Sequence, residues 1–114
     1  GLKGLEGFSH ILIVFFLDRA QGFDPAKHLL RKPRGMEDLQ PVGVFAQRTK
    51  YRPNPVGVTA VKLLGITGNI VKVRGLDALD GTPVLDIKPY MPAFDRVDDV
   101  EMPPWVGKFM EGYF

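Results

Sequence analysis

The chain has 114 residues, 45% hydrophobic and 25% charged, with a formal net charge of +2, which is enough for one soluble globular domain with a modest core. It has no cysteine, so disulfides, thiolate nucleophiles and cysteine-held metal centres are excluded, and its two histidines, His10 and His28, are too few for a multi-histidine metal site. Its 13 glycines and 10 prolines argue against long helices, and its longest apolar run, Ile11 to Leu17, falls far short of the roughly 18–20 residues of a membrane helix.

In chain order, a glycine-rich lead-in (GLKGLEG) precedes HILIVFFL at residues 10–17, which reads as a strand buried on both faces. Asp24-Pro25 is a helix-start signal for one or two turns over 26–31. Residues 32–40 read as a loop and 42–47 (VGVFAQ) as a short strand. RTKYRPNP at 48–55 cannot be regular, because each proline drives its predecessor toward extended geometry. Residues 56–66 and 70–76 form the clearest hairpin, turning at Thr67-Gly68-Asn69. DALDGTP at 77–83 is a turn, 84–88 a short strand with Leu85 and Ile87 on one face, and 89–95 irregular. Pro103-Pro104 opens a short amphipathic C-terminal helix. Five or six short strands in so small a chain predict a mainly β fold, a single small β-barrel over residues 1–114 with short helical additions.

Charge is uneven. Residues 19–52 hold eight Lys/Arg against three Asp/Glu, and residues 86–114 hold three against six. The middle of the chain is a basic stretch able to meet phosphate. Three segments are polar where a minimal barrel needs nothing polar: Asp18-Arg19, Arg48 to Asn54, and Asp77 to Tyr90. Prolines stiffen the last two, which lowers the entropic cost of ordering them around a ligand. An arginine suits a carboxylate or phosphate, and an aspartate at a turn suits a ribose diol or a cation. A nucleotide-like ligand carrying both a carboxylate and a positive centre uses all of these groups, and S-adenosylmethionine is such a molecule. Neither GxxxxGK[ST] nor GxGxxG occurs, which argues against a P-loop or dinucleotide-binding fold.

The stretches GLEGFSHILIVFF, GVFAQRTKYRPNPVGVTAVKL and LDALDGTPVLDIKPYMPAFD resemble the signature stretches of the TsaA/TrmO-like family, over about residues 4–95. That resemblance implies a β-barrel tRNA methyltransferase using S-adenosylmethionine, acting as a cytoplasmic homodimer, with no metal and no membrane partner. Its substrate is the exocyclic amino nitrogen of threonylcarbamoyl-adenosine next to the anticodon, so the partner is the tRNA anticodon loop. It also implies cofactor contacts from Asp18, Arg19, Arg48, Val58, Asp77, Ala78, Leu79 and Asp80. Where family members often carry His-Gln, this chain has Asp18-Arg19. The family's usual first strand, with its Pro-Arg-Gln-like segment, has no counterpart here, and without it weaker cofactor binding is expected.

Asp86 and Tyr90 are the nearest candidates for a general base, with Asp86 equally suited to satisfying backbone groups in the sheet. Lys50, Arg52, Asn54 and Lys88 are the expected substrate contacts, with Tyr51 or Tyr90 stacking on an unpaired base. The basic residues Lys27, Arg31, Lys32 and Arg34 extend that surface. Two other readings remain at this point: a non-catalytic RNA-binding β-barrel module, and a dimerisation module resting on the Trp105–Phe114 segment.

Overall fold

The computed structural model describes residues 1–17, 22–32 and 40–111, with side chains to residue 107 in the last stretch. These divide between two compact units, one of Gly1–Arg19 and Pro55–Arg96, the other of Ala20–Asn54 and Val97–Phe114.

The first unit is a four-stranded antiparallel sheet built from β1 (His10–Phe16), β4 (Val56–Thr67), β5 (Ile70–Arg74) and β6 (Val84–Pro89). Its spatial order is β5-β4-β1-β6. β1 is apolar throughout from Ile11, yet only every second residue is deeply buried: Ile11, Ile13 and Phe15 are in the core, while Leu12 and Val14 are half-buried and Phe16 is exposed. The sequence reading of a strand buried on both faces is therefore corrected to one buried face. Val61 of β4 completes the core, and Leu63, Val71, Val73, Ala78 and Ile87 pack around it. Full burial of a side chain such as Ile11 is worth about 1.5–3 kcal/mol.

The β4–β5 hairpin turns through Gly68-Asn69 as its sequence predicts, and a register shift between Leu63 and Gly65 keeps Leu63 opposite Val73 on the core face. Phe15 lies directly opposite Gly57 on β4. The glycine is required there, because a Cβ would stand 2.5 Å from the Cζ of the Phe15 ring. A short helix α2 (Pro92–Asp95), at a position read as irregular from sequence, closes on itself where Met91 N–H donates to Asp95 Oδ2 at 2.8 Å.

The expected barrel is not closed among the described residues. Closure needs β5 to pair with β6, and these strands lie at opposite edges of the sheet. The chain between them instead spends its length crossing one sheet face, where Ala78 packs on the core. Four strands are also fewer than small closed barrels use.

The second unit holds α1 (Pro25–His28), a two-stranded sheet of β2 (Leu30–Arg31) and β3 (Val42–Gly43), and α3 (Pro104–Glu111). Asp24 caps α1 by accepting from Ala26 N–H at 3.0 Å, and Pro25 occupies the first turn, as the sequence signals. The strand expected over 42–47 stops at Gly43. Val44–Ala46 wind into a 3-10 turn that buries Val44 and lets its N–H donate to Leu29 O at 2.9 Å.

Gly57→Ala should force the buried Phe15 ring off its seat. The expected loss is about 1–3 kcal/mol, read as a lower midpoint in urea unfolding with an unchanged slope.

Candidate functional site

The connection 75–83 forms the roof of a hollow of about 260 Å³ on the core face of the sheet. Ile13 and Phe15 of β1 and Val84 of β6 supply its apolar wall, and Leu76, Ala78, Leu79, Asp80, Gly81 and Thr82 line the rest. The roof is a stiff turn. Thr82 N–H and Thr82 Oγ1 both donate to Leu79 O, at 3.1 and 2.6 Å, and Gly81 takes a φ of 86° that other L residues rarely adopt. An apolar wall with a carboxylate at the rim suits a flat heterocycle whose attached sugar reaches Asp80. The volume is below the roughly 300–1,000 Å³ of pockets that enclose whole drug-sized ligands. It has room for part of such a ligand rather than the whole of it.

The opposite, outer face of the sheet carries a different set of residues. In an antiparallel ladder, directly opposed residues point to one side. Asp86 faces Val14, and Val14 faces Val58, so these three share the face turned away from Ile13 and Phe15. Lys88 stands opposite Leu12 on that face. Its Nζ lies 2.7 Å from Asp86 Oδ2, while Asp86 Oδ1 accepts from Ile87 N–H at 2.8 Å. The Lys88 hydrogen bond is the main reason the Asp86 carboxyl sits below its usual pKa, and the same bond raises Lys88 above its own. Tyr90, half-buried at the end of β6, lines an outer hollow with His10 and Ala60.

In the second unit a basic aromatic cluster surrounds Tyr51. The His28 ring stacks on it, with centroids 4.5 Å apart and planes within 8°. Arg31 Cζ and Lys50 Nζ stand 5.0 and 5.4 Å from its centroid. His28 Nδ1 accepts from Asp24 N–H at 2.9 Å, which tethers the imidazole. Gln47 Nε2 donates to Arg31 O and to Val42 O, at 3.0 and 2.9 Å, tying β2 to β3. Arg52 donates to Gln47 O and lies 5.8 Å from the centroid of Phe45, an aromatic ring that is 76% exposed.

The structure thus gathers Ala78, Leu79 and Asp80 at one hollow, with Asp77 on the same connection. Val58 and the expected general-base candidates Asp86 and Tyr90 do not join them, because the strand register turns all three to the outer face with Lys88. Arg48, Lys50, Arg52 and Asn54 fall together in the second unit. Asp18, Arg19 and Arg34 lie outside the described residues. Sequence reasoning missed Gly57, His28, Gln47 and Phe45. Of these, only Phe45 carried a signal, as an aromatic inside a basic glycine- and proline-rich stretch.

An open sheet with a proline-braced turn over an apolar hollow, in a chain that also carries a basic aromatic loop cluster, defines a β protein suited to a nucleotide-like ligand. The sequence profile of the tRNA-methyltransferase O N-terminal domain matches residues 1–96, and the chain belongs to that family. It is 45% identical over 108 residues to a Pyrococcus abyssi protein named as a probable S-adenosyl-L-methionine-binding protein, covering 95% of this chain and 55% of that one. It is 39% identical over 102 residues to a Homo sapiens protein named tRNA (adenine(37)-N6)-methyltransferase, covering 90% of this chain and 22% of that one. The chain therefore spans about half, or less, of the length of these relatives. The solved structure of TrmO from Pseudomonas aeruginosa superimposes with a TM-score of 0.67 at 38% identity, over 88% of this chain and 39% of that one.

The Asp86–Lys88 pair generates a pH prediction. Asp86 is depressed below 3.8, so its contribution is full above that value and is lost as pH falls through the lower folded pKa. Lys88 is raised above 10.5, so its contribution is full below that value and is lost as pH rises through the higher folded pKa. The pair should hold unchanged between these limits. Lys88→Gln should return the Asp86 midpoint toward its ordinary value, as followed by carboxyl-carbon NMR during a pH titration.

Proposed function

We propose that the protein transfers a methyl group from S-adenosylmethionine to the exocyclic amino nitrogen of threonylcarbamoyl-adenosine next to the tRNA anticodon, as a cytoplasmic homodimer. The observation that carries this reading is the hollow under the 75–83 connection, in a chain of this family. The human relative's name supports adenine-N6 methylation of tRNA, and the Pyrococcus relative's name supports the cofactor.

The adenosyl end is held against Ile13, Phe15 and Val84, with Leu79 and Asp80 closing over it and Asp80 accepting from the ribose hydroxyls. When bound, the cofactor supplies an electrophilic methyl on a sulfonium, which the amine nitrogen takes in line as the carbon–sulfur electron pair stays with sulfur. That amine is a poor nucleophile because its lone pair is delocalised into the ring, so the protein's main contribution is orientation. A stiff turn such as 79–82 suits that task better than a flexible loop. The proton released from the alkylated nitrogen goes to solvent water, because Asp86 and Tyr90 lie on the outer face of the sheet, turned away from the hollow. Water suffices there, because an alkylated amino nitrogen bearing positive charge is strongly acidic.

Arg48, Lys50, Arg52 and Asn54, together with Lys88, contact the RNA. Tyr51 is packed between His28 and its cations, so its part is to hold the cluster in shape.

Calorimetry with S-adenosylmethionine tests the cofactor site. Asp80→Ala should weaken binding about tenfold or more, the loss expected for hydrogen bonds to a charged group. Unchanged affinity would remove Asp80 from the site. Methyl transfer to tRNA carrying threonylcarbamoyl-adenosine tests the reaction. Asp86→Asn should leave kcat unchanged, because the Asp86 side chain faces away from the hollow, whereas Asp80→Ala should lower it. Binding of tRNA without any transfer by the unaltered protein would favour the RNA-binding module instead.

A further inference from the structure

A transverse row of three basic residues crosses the outer face of the sheet. His10 on β1 stands directly opposite Lys62 on β4, and Lys62 stands directly opposite Arg74 on β5. We propose that this row, Arg74–Lys62–His10, is a binding site for the phosphodiester backbone of RNA. The inference rests on the tRNA reading above and adds to it a site on the sheet, separate from the loop cluster of the second unit.

All three residues are exposed. Opposed residues in an antiparallel pair sit about 5 Å apart, where like charges destabilise the sheet. Neither Lys62 nor Arg74 forms an ion pair among the described residues. Between Asp38 and Asp77 the sequence contains no carboxylate side chain and six basic ones.

The register makes this juxtaposition unavoidable once those residues are chosen. The shift between Leu63 and Gly65 keeps Leu63 and Val73 on the core face, and so sets Lys62 abreast of Arg74 on the outer one. The core demands nothing of the side chains at 62 and 74. A glutamate at either position would turn a repulsion into an attraction at no cost to packing. A polyanion laid across the row does the same thing from outside.

The row also borders a hollow of about 310 Å³ lined by His10, Ala60 and Tyr90, which gives a strand room to settle. The hydrogen bond between Ser9 Oγ and His10 Nδ1, at 2.8 Å, fixes the imidazole and leaves Nε2 as the ring's other polar atom. Lys72, opposite Gly65, extends the positive field on the same face.

Fluorescence anisotropy of labelled tRNA against the full chain, at several salt concentrations, tests the site with two variants. Lys62→Gln combined with Arg74→Gln should weaken binding and make the slope of log K against log salt shallower by about 1.4, the share of two phosphate contacts on a single strand. Arg74→Glu should place an attractive partner opposite Lys62 and raise the thermal midpoint, yet weaken tRNA binding at least as much. Affinity for S-adenosylmethionine should stay unchanged in both variants. Unaltered affinity and slope in both, while the unaltered chain still binds and methylates tRNA, would overturn the row and leave the methyltransferase reading standing. An unaltered chain that binds no tRNA at any salt concentration would overturn both. A fall in affinity matched by a fall in thermal midpoint in both variants would also count against the row, as damage to the sheet.

Discussion

The nine residues 75–83 must carry the chain from one edge of the sheet to the other. Laterally, three strand spacings amount to about 14 Å. Along the strands, the path runs from the level of Lys62, opposite Arg74, to the level of Gly57, since Phe15 pairs with both Gly57 and Val84. Those five residues add about 17 Å, for a diagonal of roughly 22 Å. A fully extended connection of this length reaches about 30 Å or more. The excess has to be stored somewhere, and it is stored in the turn at 79–82, which Gly81 permits and Thr82 ties down. The hollow is the space under that stored length. Topology thus makes a site out of what would otherwise be a plain crossover.

The same crossing divides the sheet into two faces with different tasks. On the core face, Ala78 completes the apolar cluster while its neighbours overhang the hollow, so the core and the hollow share one segment. Phe15 belongs to both, as a core residue and as part of the hollow's wall, and Gly57 is the position that gives its ring room. The outer face makes no comparable demand. It carries half-buried aliphatics at Leu12 and Val14, one ion pair and a run of basic side chains. Chemistry that needs water and charge, such as contact with a nucleic-acid backbone, suits it.

The elements that the sequence made legible are those whose signals are local. The apolar run of β1, the hairpin with its Gly68 turn, the aspartate-proline start of α1 and the turn around Gly81 were all readable from a few adjacent residues. Closure of the sheet was not, because whether β5 meets β6 depends on the path of a connection rather than on any strand's composition. The strand β3 fell within the expected 42–47 strand, but its partner β2 lay in a stretch read as helical turns, because two residues carry no alternation and the pair is tied partly by the Gln47 side chain. The hollow at 78–80 lies where the sequence sets a turn signal beside aspartates. Val58 and Asp86 show the limit. Strand alternation says that residues two apart share a face, but not which face a ligand will occupy.

Edge protection offers a rival account of the outer face's charges. An open sheet exposes unpaired backbone groups at both edges, and natural sheets blunt such edges with charged side chains, prolines and bulges. Arg74 and Lys72 on β5 fit that account, as do Lys88, Pro89 and the register shift opposite Val14 and Phe15 on β6. Lys62 does not. It lies on β4, paired on one side to β1 and on the other to β5, where no edge needs guarding. A lysine on an interior strand, set between a histidine and an arginine, serves neither the core nor the edges. Its place in the row is therefore the part of the outer face that structure alone leaves without a purpose, and an anionic ligand supplies one.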